Sequence, residues 1–368
     1  MLLKLIYTTL CFTLLHGVLS AQNKIIKTYY DEQNSALKEV IEEVDGIRNG
    51  TYILYYESGS VALRGNFSNG KKEGLFVDFF PNTNDTLRVT TYSNGKKEGI
   101  SKSFFESGKP SQIVKYKENS IEGEVITFYK NGAIHQKTNF SKNKPHGLTE
   151  VYDEEALLLE KKMFEMGVLD GRQESYHTNS QVEKIVIYKK GQIHGTVHTY
   201  HENGQLRSKT NFKSGYQHGG FEEYHESGQL AKKGKYRNGD PDGEFKSYFP
   251  SGKVMESTNY RRGLPVGTFV GYFENGQIQE KTHHDKYHEI SQIVTYHENG
   301  KVLKEVNFSF GREHGPTLVY FPNGQLKEEL PYVRGKIHGI QKVYAETGEI
   351  ILERNFKEGK VVELTGEK

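Results

Sequence analysis

The sequence is short of the residues that staple a fold or run chemistry through sulfur. It has one cysteine in 368 residues, Cys11, and that residue lies in the opening segment MLLKLIYTTLCFTLLHGVLSAQ. An early lysine, an apolar run and the small residues Ser20 and Ala21 follow in the order of a secretory signal peptide (residues 1–21) cleaved after Ala21. A retained membrane anchor is the alternative, and Thr8, Thr9, Thr13 and His16 interrupt the run it would need. With cleavage the mature chain holds no thiol, which excludes disulfides, thiolate zinc sites and cysteine nucleophiles. Cys11 is not beside the cleavage point, so a lipid-anchored terminus is not indicated. The expected location is secreted, periplasmic or cell-envelope.

Charge of one sign is also missing. Lys and Arg total 49 against 47 Asp and Glu, so no overall field draws nucleic acid, and none is expected as a partner. Apolar residues make up 35% of the chain and charged ones 26%. That leaves little material for a thick core, whereas aromatic residues at 12% are plentiful. Packing must lean on rings. There is no linker or low-complexity tract before the tail at 361–368, and no paired-carboxylate, Ser/His/Asp or lysine-centred group stands outside the prevailing rhythm. No enzyme activity and no cofactor are expected.

What is present is a period. Gly204, Gly228, Gly252, Gly276, Gly300, Gly324 and Gly348 succeed one another at 24 residues, and Gly195, Gly219, Gly243, Gly267, Gly315 and Gly339 keep the same interval. A fixed period of this size marks a repeat architecture. The array is read over 35–360, with 22–34 as a lead-in or eroded first repeat. A ring precedes each turn glycine by four residues, as at Tyr200, Tyr224, Tyr248, Tyr272, Tyr296 and Tyr320. A second ring follows it by eight, as at Phe212, Tyr236, Tyr260 and Phe308, with His284 the exception.

These offsets specify a hairpin. Glu202, Asn203 and Gly204 form a three-residue loop in which the glycine supplies the left-handed position after a type I turn. Tyr200 then faces Leu206, and counting in twos from Leu206 puts Phe212 on the face of Tyr200. Phe221, Phe245 and Phe269 fall on the wrong parity for that face. A bulge near the second glycine or a partly covered back face would account for them. An isolated hairpin is marginal in water, so the hairpins stack into one elongated, twisted, all-β antiparallel sheet, with equivalent residues about 10 Å apart in successive units.

The unit Y-x-E-N-G-Q-L, followed by a ring, N-G or S-G and then G-x-x-x-Y, resembles the MORN repeat in its bacterial variant form, often filed under a toxin-antitoxin system antitoxin heading. The resemblance covers residues 28–360. It implies an all-β array of hairpins used for binding, with lipid, protein and self-association as the kinds of partner, and it implies no catalytic residues. Departures at 81–86, 153–156, 177–180 and 283–291 bear on the regularity of the sheet.

Three function classes follow. The first is a non-catalytic secreted or envelope protein offering an extended β surface, with the Tyr200–Tyr320 ladder as its binding residues, to a protein partner or cell-envelope ligand. The second is an antitoxin or immunity protein that sequesters a toxin, and the third a phospholipid-surface binder. His146, His194, His218, His314 and His338 each precede a second glycine. At about 10 Å spacing they cannot share a zinc ion whose nitrogen ligands sit near 2 Å, and a loop-packing or capping role suits them better. The cluster at 283–289, with His283, His284 and His288, is the one place where three ligands could meet. It has lost both its ring and its glycine, so erosion of the repeat is the competing reading and no metal is expected.

Overall fold

A computed structural model describes residues 22–367, so the signal-peptide reading lies outside the described residues. Among them are 36 strands and no helix. Contacts group the chain into two units, the first ending at Lys144 and the second beginning at Pro145. A hairpin repeat touches mainly its neighbours, so contact density has no single centre. Within each unit every strand pairs antiparallel with strands adjacent or next to adjacent in the chain. No such sheet closes into a barrel. The lead-in carries a strand, Asn23–Tyr29, paired with Leu37–Val44. The tail residues likewise belong to a strand, Lys360–Glu367, paired with Ile350–Lys357.

The strands Gly195–Tyr200, Leu206–Lys213 and Tyr216–Tyr224 illustrate the unit. At the first turn the His201 amide donates to the Gln205 carbonyl and the Gly204 amide to the His201 carbonyl, each at 2.9 Å. All seven turn glycines from Gly204 to Gly348 lie at φ between 81° and 90°, the conformation a side chain disfavours. The return is a two-residue turn at Ser214 and Gly215, with φ of 49° and 86°, the type I′ geometry whose twist matches the flanking strands.

Two bulges per unit set the faces. Tyr200 pairs with Leu206, but Thr199 pairs with Ser208, which leaves Arg207 unopposed. At the other end Thr210 pairs with Phe221 and Phe212 with Gln217, so 218–220 stand against Asn211 alone. The expected sharing of a face by Tyr200 and Phe212 is therefore corrected. The Tyr224 hydroxyl donates to Glu222 two residues back on its own strand, which puts both on the face opposite Phe221. Phe221 and Phe245, out of parity with Tyr200 by counting in twos, belong to the packed face. Phe221, Tyr236, Phe245 and Tyr260 interlock edge to face with centroids 5.8, 5.4 and 5.3 Å apart, and Tyr52, Phe67, Phe76 and Tyr92 do the same at 5.4, 5.8 and 5.0 Å.

The buried centre of several hairpins is the cross-strand pair that joins the residue seven before the turn glycine to the residue six after it, or the equivalent pair across the lengthened turn at 81–86. Phe76 faces Thr90, Ser101 faces Val114, Val125 faces Thr138 and Val197 faces Thr210, and all eight are buried. Where a large ring occupies one position, a glycine can admit it. Phe221 pairs with Gly234, and a methyl group on Gly234 would lie 2.3 Å from the Phe245 ring.

The departures from the consensus leave the pairing intact. Ala156 and Ser180 take the glycine's place at φ 65° each, with the turn hydrogen bonds kept. At 81–86 the loop is one residue longer, from the Phe80 amide to the Asp85 carbonyl. At 285–289 the two-residue turn gives way to the other kind. The Asp285 amide donates to Glu289, the His288 amide to Asp285, and His288 sits at φ 70°. The loss of the ring and glycine there is thus a change of turn type rather than erosion, because Asp285 Oδ1 also accepts from the amides of Tyr287 and Glu289.

Candidate functional site

The tyrosines Tyr200, Tyr224, Tyr248, Tyr272, Tyr296 and Tyr320 are all half-buried and sit on the face opposite the packed rings. Their surroundings are charged. Glu222 accepts from the Tyr224 hydroxyl at 2.5 Å and meets Lys209 Nζ at 2.6 Å. The lysine first and then the tyrosine hold its carboxyl below the usual glutamate range, while the bond to Glu222 and then burial push the Tyr224 hydroxyl up. Burial, seconded by Glu174, pushes Tyr176 up to about 12, and burial first among the causes raises Tyr320. Lys233 lies 5.7 Å over the Tyr248 ring and Lys281 5.7 Å over that of Tyr296, within reach of the attraction between a cation and a ring face.

A row outside the two ring ladders lies next in the chain. Immediately after the ring that precedes the turn, a second large side chain follows in most repeats: Tyr56, Phe80, Phe105, Tyr129, His177, His201, His225, Phe249, Phe273, His297 and Phe321, with Asp153 and Ala345 the exceptions. Where it can donate, it ties one repeat to the next. Nε2 of His177, His201, His225 and His297 stands 3.0, 2.9, 3.2 and 3.2 Å from the carbonyl oxygen of Tyr200, Tyr224, Tyr248 and Tyr320, which requires the tautomer with hydrogen on Nε2. Tyr56 reaches the Phe79 carbonyl at 2.8 Å. The asparagine of the turn adds a second tie. Asn203 Oδ1 accepts from the Gln205 amide at 2.9 Å, and its Nδ2 donates to the Glu226 carbonyl of the next turn at 3.0 Å. The doublets Tyr-His and Tyr-Phe, repeated at the period, were the signal available in the sequence.

These rows border two hollows in the second unit. One, of about 700 Å³, is edged by His201, Tyr224, His225, Lys232 and Tyr248. The other, of about 670 Å³, is edged by Phe249, Phe269, Tyr272, Phe273, Tyr296 and Leu303. Met255 and Glu256 border both, so the hollows adjoin. Four of the six ladder tyrosines are brought to this groove, and Tyr200 and Tyr320 border neither hollow. Four glutamates border it, Glu223, Glu226, Glu256 and Glu280, and of these Glu256 and Glu280 border the hollow of about 670 Å³. Their near polar neighbours are hydroxyls, from Ser247 at 3.3 Å and Thr282 at 2.8 Å, and no ion pair engages either among the described residues.

The histidines are occupied separately. His283 Nδ1 lies 2.8 Å from the Thr268 hydroxyl, His284 Nδ1 3.3 Å from the Gly267 carbonyl and His288 Nδ1 2.9 Å from the Pro265 carbonyl. Among the described residues no group of three or more His, Cys, Asp or Glu side chains is placed to hold a metal. In the row before the second glycine, acidic members cap the following turn. Glu73 accepts from the Asn94 amide at 2.7 Å and Glu98 from the Glu118 amide at 2.9 Å. At the same position His146 and His338 approach Glu165 and Glu358 at 3.6 and 3.8 Å.

The MORN repeat variant model matches residues 48–69, 97–118, 121–142, 169–190, 193–214, 217–238, 241–262, 265–286, 293–309, 313–334 and 337–358, which together exceed half of the chain. The gaps at 70–96 and 143–168 contain the lengthened turn and Ala156. No curated protein matches. Among solved structures, the crystal structure of TcdB2-TccC3-Cdc42 is 12% identical, with 92% of this chain and 22% of that chain covered and a TM-score of 0.16. That of TcdB2-TccC3 is 13% identical, with 92% and 23% covered and a TM-score of 0.16. The chain spans less than a quarter of those chains, and likeness at this level carries no argument.

Proposed function

The chain belongs to the MORN repeat variant family, and from that premise we propose that it is a non-catalytic binding protein of the cell envelope or exterior that holds an extended segment of a protein partner in the groove from His201 to Leu303. The observation that supports this reading is the adjoining pair of hollows, about 700 and 670 Å³, bordered by successive copies of the same rows. A concave, ring-bordered surface with a few polar groups is the usual form of a binding site. A linear run of equivalent hollows suits a linear ligand better than a compact one.

The reading is tested with a photoreactive phenylalanine analogue placed at Phe249 or Phe273, and at exposed Tyr216 as a position off the groove. With envelope extract, adducts to one protein are expected from the groove positions. Adducts only from Tyr216 would overturn the assignment. Export is tested by N-terminal sequencing of the protein from fractionated cells. A chain beginning at Gln22 outside the cytoplasm is expected, and an uncleaved cytoplasmic chain overturns it.

A phospholipid surface is the second reading, favoured by one observation. On the type I′ edge Phe310 is 90% exposed and Tyr287 70% exposed, and Arg262, Lys286 and Arg334 occupy turns of the same edge. Rings flanked by cations suit an anionic lipid interface. Binding of the full chain to anionic but not to neutral vesicles, lost in Phe310→Ala with Tyr287→Ala, would support it.

A further inference from the structure

We propose that the occupant of the groove is a proline-rich segment in the polyproline II conformation with a basic residue at every third position, seated between Met255 and Leu303. The inference rests on the binding function proposed above and names the chemistry of its ligand. Two observations carry it.

The first is pitch. The groove runs across the strands, so its border repeats once per hairpin: Phe249 is followed by Phe273, Glu256 by Glu280, and Met255 by Gln279 and Leu303. Two strands per hairpin at about 4.8 Å give a step of roughly 9.6 Å. A polyproline II helix turns once in three residues with a rise of about 3.1 Å, a step of roughly 9.3 Å. Every third residue of such a segment therefore meets the same chemistry in the next repeat. The mismatch is a few tenths of an ångström over the two steps available. An extended β-type segment at about 3.3 Å per residue also fits three residues to the step. Its alternation in twos, however, would turn every second contact away from the groove. Lying across the strands it also could not join the backbone ladder.

The second is charge. The residues bordering this hollow include two carboxylates, Glu256 and Glu280, and no lysine or arginine, and neither carboxylate is ion-paired among the described residues. The hollow toward His201 is different, because Arg207 and Lys232 border it, so the basic segment is placed over the Met255 to Leu303 half. Carboxylates one repeat apart select cations three residues apart. Phe249 and Phe273, half-buried and at equal spacing, offer rings to the prolines between. Rings in a groove are the usual receptor for a preformed, low-entropy proline helix.

The test is fluorescence anisotropy of the full chain with three labelled synthetic peptides: Arg-Pro-Pro repeated four times, Glu-Pro-Pro repeated four times, and Arg-Gly-Ser repeated four times. The first is expected to bind and the second not to bind. The third has the same charge but no preformed helix and is expected to bind at least about tenfold more weakly. Glu256→Lys with Glu280→Lys should weaken the first peptide by at least about tenfold. Both carboxylates share the face of Phe245 and Phe269, two residues from the cross-strand partners of those rings, and circular dichroism will report whether the sheet is kept. Should the double reversal disturb folding, Glu256→Gln with Glu280→Gln supplies the milder comparison, expected to weaken binding in the same direction. Equal binding of the two arginine peptides overturns the conformational part. Indifference to the glutamate substitutions, or no binding of the Arg-Pro-Pro peptide, overturns the whole. If a protein is still captured through Phe273 while no peptide binds, the groove function stands and this assignment of its ligand falls.

Discussion

At the scale of the residue, glycine performs two separate jobs here, and substitution tells them apart. Gly234 is needed for space: a methyl group there would press on the Phe245 ring, in a packed face that cannot retreat. Gly234→Ala is expected to cost about 1–3 kcal/mol in chemical unfolding. Gly252 is needed for conformation, at φ 83° with open space around it, so Gly252→Ala should cost about 1 kcal/mol from backbone strain alone. Gly252→Asn should recover most of that loss, whereas Gly234→Asn should not. The converse case is Phe310. It holds φ 50° in the first position of a type I′ turn while 90% exposed, where asparagine is preferred. Phe310→Asn is expected to raise stability by roughly 0.5–1 kcal/mol. A lower urea midpoint for that variant would show that the ring makes stabilising contacts.

At the scale of the element, the ties between neighbouring hairpins govern cooperativity. Asn203 bridges its own turn and the next, and His201 does the same one residue from the ring row. Asn203→Ala removes both bonds and is expected to cost about 1–2 kcal/mol. Hydrogen exchange should speed up at both turns rather than one. Titration acts on the same elements with opposite signs at the two ends of the pH scale. Tyr52 and Tyr176 are raised to about 12, by burial first and by Glu39 and Glu174 next. A raised folded value means that their contribution is complete below the unfolded value near 10 and is lost as pH climbs toward 12. Glu222 is held down by Lys209 and Tyr224, so its contribution is present above the ordinary glutamate range and lost as pH falls below it. Urea midpoints should therefore drop between pH 10 and 12, less so in Tyr52→Phe with Tyr176→Phe. They should also drop below about pH 4.5, less steeply in Glu222→Gln. Identical profiles for wild type and variants would refute these assignments. The turn at 285–289 shows what local sequence could not settle. The missing ring at His284 and the missing glycine at Ser291 looked like decay. Asp285 and a left-handed His288 instead build the other turn type in a hairpin of unchanged length.

At the scale of the whole molecule, a nearest-neighbour architecture predicts tolerance to loss of whole periods and intolerance to fractions. Deleting 205–228 joins Gly204 to Gln229 and restores the Gly-Gln-Leu run. That variant should keep its far-ultraviolet spectrum and melt within about 5 °C of wild type. Deleting 205–216 removes half a period and sends each row to the wrong face and edge, so it should fail to fold. A folded half-period deletion would contradict the register. The repeat, its period, the hairpin loop and the pairing of Tyr200 with Leu206 were all legible from spacing. The assignment of faces was not. Counting in twos assumes an unbroken ladder, and the unopposed Arg207 and the 218–220 bulge each break the count. Phe221, Phe245 and Phe269 were visible in the sequence as rings of odd parity, and only the bulges make their row, with Phe76, Val125 and Val197, the buried centre. The groove was hidden for a further reason: its border is drawn from several hairpins, so no single stretch of sequence contains it.

The sequence by itself determined the unit, because a 24-residue recurrence of rings and turn glycines admits one hairpin and one way to repeat it. The tertiary structure decided which face packs and where a ligand has room. Those depend on one extra residue in a ladder and on side chains a full period apart, which a pattern read along the chain does not bring together.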